Sequence, residues 1–225
     1  MKKFLPILTL VTLALLLTTV NALAASTLQD FKKAEKAFYD VVNNKEGATP
    51  EKTLELMLAV KTSGLTPYQQ GHHAMFLGDL YYRLDDYSTC REWLLKIFND
   101  PSFYKIPVSS KATADNYGHG LAIAVMLANA AATNGKPEDI DYVEGKVSKD
   151  DLSQRVSIWY CWLNRDKNTL RTLLRFYKAL AYKNAGDLDA MRETMSMASF
   201  KTGKIRVGNK EMPLDEAARL FLDAN

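Results

Sequence analysis

Apolar residues recur at three- and four-residue intervals along most of this chain. Phe31, Ala34, Phe38, Val41 and Val42 form the first clear stripe, with Lys and Glu between them, which is the spacing of an amphipathic helix. Ser26 followed by Gln29 supplies a capping box for its start. The stripe fades at Asn43-Asn44, and Glu46-Gly47-Ala48 reads as a loop. Thr49-Pro50 opens a second helix, because Pro suits the first helical position. Leu54, Met57, Leu58 and Val60 give that helix its apolar side, and Ser63-Gly64 stops it. Thr66-Pro67, with Gln69 after it, repeats the same device.

Asp85-Asp86 breaks this third helix and opens a fourth, whose buried stripe is Cys90, Trp93, Leu94, Ile97 and Phe98; Asn99-Asp100-Pro101 ends it. After a loop through Pro107, an Ala-rich helix is expected from about Lys111 to Thr133, closed by Asn134-Gly135. Pro137 opens a short helix carrying Ile140, Val143 and Val147. Ser148 with Asp150 and Asp151 marks another start, since a Ser cap and early acidic residues suit the positive end of the helix dipole. Val156, Trp159, Tyr160 and Leu163 follow it, and two more helices flank Ala185-Gly186. Ile205 and Val207 alternate around Gly208-Asn209 within Lys204 to Met212, the pattern of a small β-hairpin. A last helix begins near Pro213 and carries Leu214, Ala217, Leu220 and Phe221. The expected fold class is all-α, nine or ten helices in short antiparallel pairs.

The first residues read differently. Lys2 and Lys3 precede an uncharged apolar run from Phe4 to Val20, and Ala22-Leu23-Ala24 follows it. This is the order of a cleavable signal peptide, with cleavage after Ala24. Residues 1–24 are therefore expected to be removed and residues 25–225 to form a single domain in a bacterial periplasm or outside the cell. The chain has 29 basic and 26 acidic side chains, so losing Lys2 and Lys3 leaves the charge almost balanced. Nucleic acid, or an anionic membrane surface beyond the signal peptide, would call for a basic excess. Export also gives the two cysteines, Cys90 and Cys161, two open readings. They either pair as a disulfide in an oxidising compartment or remain separate buried thiols.

From Gln70 to Pro101 the pattern sharpens. Ala74, Leu77-Gly78 and Tyr81 lie on one helix, and Tyr87, Cys90, Leu94 and Ile97 on the next. This segment, residues 70–101, resembles a tetratricopeptide repeat, a 34-residue helix–turn–helix unit with Leu-Gly and Tyr on its first helix. Asp85 stands where a turn Gly is common, and Cys90 where Ala is usual. A weaker copy covers residues 172–199, with Ala179, Tyr182, Gly186, Leu188, Met191, Met195 and Ala198. The resemblance implies an array of stacked hairpins, each burying its apolar face against its neighbours, finished by the small C-terminal hairpin and a capping helix. It also implies a concave groove, lined by the first helices, that holds a protein or peptide. His72, Met75, Asp79 and Tyr82 form the corresponding stripe beside Ala74, Leu77, Gly78 and Tyr81; Leu173, Phe176, Leu180 and Lys183 match it in the second copy. The expected partner-binding residues are therefore His72, Met75, Asp79, Tyr82, Phe176 and Lys183.

Chemistry finds little support beside this. His72 and His73 are adjacent and point about 100° apart on a helix, and His119 is the third and last histidine. His73, Asp79 and His119 are the one conceivable metal set, but no zinc-type spacing, nucleophile elbow, P-loop or dinucleotide fingerprint occurs. No cofactor is expected. Cys161 lies in the apolar run Trp159-Tyr160-Cys161-Trp162, which suits an inert thiol. The expected function is a non-catalytic exported scaffold or adaptor. The alternative is a hydrolase or small-ligand binder on an α-helical fold, whose distant carboxylates need no local motif.

Overall fold

The computed structural model describes residues 27–106, 118–153, 170–197, 204–207 and 210–222. The expected signal peptide, the Trp159-Tyr160-Cys161-Trp162 run and Gly208-Asn209, expected to form a turn, lie outside them. Ten α-helices and one two-stranded antiparallel sheet make up the described part, so the fold is all-α. Helix α1 covers residues 27–42. It is followed by α2 (Pro50–Leu58), α3 (Pro67–Arg83), α4 (Tyr87–Phe98), α5 (Pro101–Tyr104), α6 (His119–Thr133), α7 (Pro137–Lys146), α8 (Leu170–Ala185) and α9 (Leu188–Ser196). Strands β1 (Lys204–Val207) and β2 (Lys210–Pro213) pair with Ile205 opposite Met212, and α10 (Leu214–Leu222) follows directly. Among the described residues no helix is long and apolar enough to cross a membrane.

Local chemistry sets the helix starts. Thr66 and Gln69 form the reciprocal capping box: Gln69 N–H donates to Thr66 Oγ1 at 3.3 Å, and Thr66 N–H to Gln69 Oε1 at 3.0 Å. Thr49, Asp86, Asp100 and Asp187 each accept a backbone N–H at their own helix start, satisfying donors the first turn leaves open. Two expectations are corrected here. Asp100-Pro101 does not only end α4; it also caps and opens α5, by the same Pro-first device as Thr49-Pro50. The Ala-rich helix does not run unbroken from Lys111, because Gly118 is extended and α6 begins at His119. A side chain at Gly118 would sit 2.2 Å from the Tyr104 carbonyl oxygen, so the chain turns where only Gly fits. Ser148 does accept the Asp151 N–H at 3.1 Å, opening a single 3-10 turn at Asp151–Ser153.

One turn recurs. Helices α3, α6 and α8 each end in a left-handed residue, Asp85 (φ 59), Gly135 (φ 62) and Gly186 (φ 83). The next N–H then reaches back to a carbonyl in the helix: Asp86 to Tyr81 at 3.0 Å, Lys136 to Ala131 at 2.9 Å and Asp187 to Tyr182 at 2.9 Å. This is the Schellman closure of a helix. In all three, the following helix starts one residue later. Helix α1 closes the same way through Asn44 (φ 53) and the Lys45 to Asp40 bond, but a longer loop precedes α2. Two helical turns before these left-handed residues stand Ala37, Gly78, Ala128 and Ala179, all small. The fourth residue of α2, α4, α7 and α9 is Thr53, Cys90, Ile140 and Met191, all buried.

Packing follows chain order. Helix α3 contacts α2 and α4, α4 contacts α6, α6 contacts α7 and α8, and α8 contacts α9 and α10. The first helices α3, α6 and α8 lie with their turn ends level. Tyr82 Oη meets Thr133 Oγ1 at 3.1 Å, and Asn184 Nδ2 donates to the Ala132 carbonyl at 2.8 Å. One core, around Phe31, Phe38, Met57, Phe76 and Leu80, joins α1 and α2 to α3. A larger one runs through α4, α6, α7, α8 and α10, and Tyr81 and Trp93 touch both. Helix α6 is buried from His119 to Ala128 on every side, as an all-round apolar helix must be.

Candidate functional site

Four of the six residues expected to line a groove are placed in the interior instead. His72, Met75 and Asp79 are buried, Tyr82 is half-buried, Phe176 is buried and Lys183 is half-exposed. The reason is α6. The His72 ring lies 5.1 Å from that of His119, and Asp79 and Tyr82 share a cavity of about 10 Å³ with Met126 and Asn129. The stripe beside Gly78 is thus the seam between two neighbouring first helices. The polar atoms of Asp79 and Tyr82, which suggested exposure, are matched inside the seam. Asp79 Oδ2 accepts from Arg83 Nε at 2.6 Å, and Tyr82 reaches Thr133. Burial still dominates at Asp79, lifting its carboxyl above the usual range against the pull of Arg83. Phe176 joins the same core from α8, so burial removes His72, Met75, Asp79 and Phe176 from any groove surface.

The three histidines sit close to this seam. His119 stands at the first position of α6, fully buried, with Nδ1 2.7 Å from the Ile106 carbonyl. That acceptor fixes the proton on Nδ1 and leaves Nε2 as a bare lone pair, which no described residue meets. A Cβ at position 71 would fall 2.8 Å from the His119 ring, so Gly71 is what admits it. His73 turns the other way, its Nε2 2.9 Å from the Met57 carbonyl at the end of α2. Burial lowers the basicity of both rings, more than their carbonyl partners raise it. His73, Asp79 and His119 do not converge, and among the described residues no group of three metal-ligating side chains does.

Cys161 lies outside the described residues, and Cys90, the other cysteine in the two readings, is a buried thiol. Burial, with Asp79 and Asp86 nearby, pushes its pKa up to about 12, which makes it a poor nucleophile. A second polar cluster ties α4 to α7. Arg91 Nε lies 2.8 Å from both Asp139 oxygens, and the Tyr87 hydroxyl also donates to Asp139. Burial alone would raise the Asp139 carboxyl, but the Arg91 and Tyr87 hydrogen bonds outweigh it and hold the carboxyl low.

Two open clefts mark the surface. One, of about 290 Å³, lies between α1, the following loop and α2, and is lined by Asp40, Lys45, Thr49 and Lys52 among others. The other, of about 280 Å³, lies between the end of α4, α5 and the end of α7, lined by Phe98, Asn99, Pro101, Tyr104, Lys105 and Lys146. Neither was legible in the sequence. The signal for the second was Asp100-Pro101, read as a terminator although it also starts a helix. No protein-family model, curated protein or solved structure matches the chain.

Proposed function

We propose that the protein is an exported, tetratricopeptide-like scaffold that holds a protein or peptide partner and performs no chemistry itself. The observation that carries this reading is the repeated hairpin turn at Asp85, Gly135 and Gly186, with small residues at Gly78, Ala128 and Ala179 two turns before it. A third hairpin, α6 with α7, thereby joins the two whose sequences resemble the family. Gly78, Ala128 and Ala179 stand about 50 residues apart along the chain, more than the 34-residue period of the family. The step from array to partner is an analogy with the family, since a fold alone does not fix a function. With the α3 stripe buried, the partner surface belongs to other parts of the array.

Affinity capture of the tagged protein from the cell envelope after mild cross-linking tests the reading. One partner at fixed stoichiometry, on a chain whose first residue is Ala25, supports it. A chain that elutes at its own mass and retains Met1 removes both halves. The small-ligand reading has its own support in the cleft beside α5, which is open and built from residues that no core requires at its rim.

A further inference from the structure

We propose that the cleft between α4, α5 and α7 binds a small organic anion, a single-ring carboxylate or phosphate ester. Its floor is aromatic. Phe98 and Tyr104 lie with ring centroids 5.9 Å apart, and Tyr142 backs Phe98 at 6.4 Å. The Tyr142 hydroxyl donates to Asn99 Oδ1 at 2.6 Å, which fixes the Asn99 carbonyl and leaves its amide N–H groups as donors at the edge of the cleft. Lys105 and Lys146 are exposed on the rim, and neither has a carboxylate partner among the described residues. Lys146 instead rests over the Tyr142 ring, 5.6 Å from its centroid, which aims its stem across the aromatic wall. Two acids beside it hold local hydrogen bonds: Asp151 accepts from the Tyr104 hydroxyl at 3.3 Å, and Asp100 accepts from the Ser102 N–H and hydroxyl.

A floor of tilted aromatic rings, an amide donor and two ammonium groups with no carboxylate partner among the described residues together match a ring bearing a negative charge. The volume of about 280 Å³ lies just below the range of drug-sized ligand pockets, which run from about 300 to 1,000 Å³. One ring and its charged group fit that size. Neither ammonium lies in the interior, so little desolvation opposes binding, and attraction falls with salt. The cleft on α1 and α2 lacks this character, because Asp40 already pairs with Lys45 there and no aromatic residue lines it. This inference is independent of the scaffold reading; losing the anion would leave partner capture untouched.

The test is an NMR titration of the purified protein with phenyl phosphate, benzoate, benzyl alcohol and inorganic phosphate. The expected result is saturable shifts of the Asn99 side-chain amide and the Tyr142 ring with one or both aromatic anions. The aromatic phosphate and benzoate arms distinguish the two acid classes. Lys105→Glu with Lys146→Glu should weaken binding by roughly tenfold or more, equivalent to about 1.4 kcal/mol, with the circular dichroism spectrum unchanged. Lys45→Glu with Lys52→Glu, at the other cleft, should leave the affinity as it was. The proposal is overturned if neither aromatic anion saturates the shifts, or if benzyl alcohol binds as well. It is equally overturned if inorganic phosphate matches phenyl phosphate, or if the Lys105 and Lys146 reversal changes nothing.

Discussion

Adding one methyl group at Gly78 should damage the protein, although Ala is the better helix former. A Cβ there would lie 2.4 Å from Leu94 Cδ2 and 2.7 Å from Leu94 Cγ, where carbon atoms prefer about 3.5–4.0 Å. Leu94 is 1% exposed, and the cavity beside it, at about 10 Å³, has room for little more than a water molecule. Leu94 must therefore shift by about 1 Å into packed neighbours, an overpacking that typically costs about 1–3 kcal/mol. Helix propensity returns about 1 kcal/mol of that, so Gly78→Ala should destabilise by about 0–2 kcal/mol. Leu94→Ala alone should destabilise by about 2–5 kcal/mol. Combined, the clash disappears, and the double variant should be more stable than additivity predicts by about 1–3 kcal/mol. Urea unfolding followed by far-UV circular dichroism gives all four free energies. Additivity within about 0.5 kcal/mol, or a Gly78→Ala variant stabilised by the full propensity gain, would refute the close approach. At the matching position on α8 the preferred residue is Ala instead, since Ala179→Gly removes a buried methyl and should destabilise by about 1 kcal/mol or more.

Other outcomes follow from the same geometry. Asp85 is exposed at φ 59, so Asp85→Gly should stabilise by about 0.5–1 kcal/mol in the same unfolding assay, relieving left-handed strain. Asp139→Ala leaves Arg91 and Tyr87 without their shared acceptor and should destabilise by on the order of 1–3 kcal/mol, a value discounted because Arg91 is partly solvated; a variant as stable as the parent would make the α4–α7 tie incidental. His73 and His119 hold lowered pKa values, so below about pH 6.5 the unfolded chain takes up protons that the folded chain refuses. Their contribution is fully present above that pH and is lost as pH falls toward the folded values, so the urea midpoint should drop from pH 7 to pH 5. A flat or rising midpoint would contradict this, though Asp79, whose raised carboxyl adds stability as pH falls toward its unfolded value, should counter the trend at the acid end. Cys90 should resist thiol reagents in the native protein and react on unfolding; prompt native labelling would contradict its burial.

Periodicity and capping by themselves determined which segments are helical and where most begin. Thr49-Pro50, Thr66-Pro67, Asp86 and Asp187 act within a few residues of themselves, so nothing distant is needed to read them. The same holds for the C-terminal hairpin and α10, although Leu58 and Leu220, placed on apolar faces by spacing, are exposed. Spacing names a face but not the neighbour that covers it. Both helices of the α6–α7 hairpin were legible, but its likeness to the other two was not, because α6 is apolar on all sides and shows no stripe. Tertiary structure alone decided the fate of His72, Met75, Asp79, Tyr82 and Phe176. Polar and aromatic side chains on one stripe look the same in sequence whether they meet solvent or a neighbouring helix carrying their partners. Here α6 brings His119, Asn129 and Thr133 to that stripe, and Arg83 satisfies Asp79 from within α3. The cleft at Tyr104 and Lys146 has the same origin. Its walls join the consecutive α4 and α5 to the distant α7, and only their packing makes a concave surface of them.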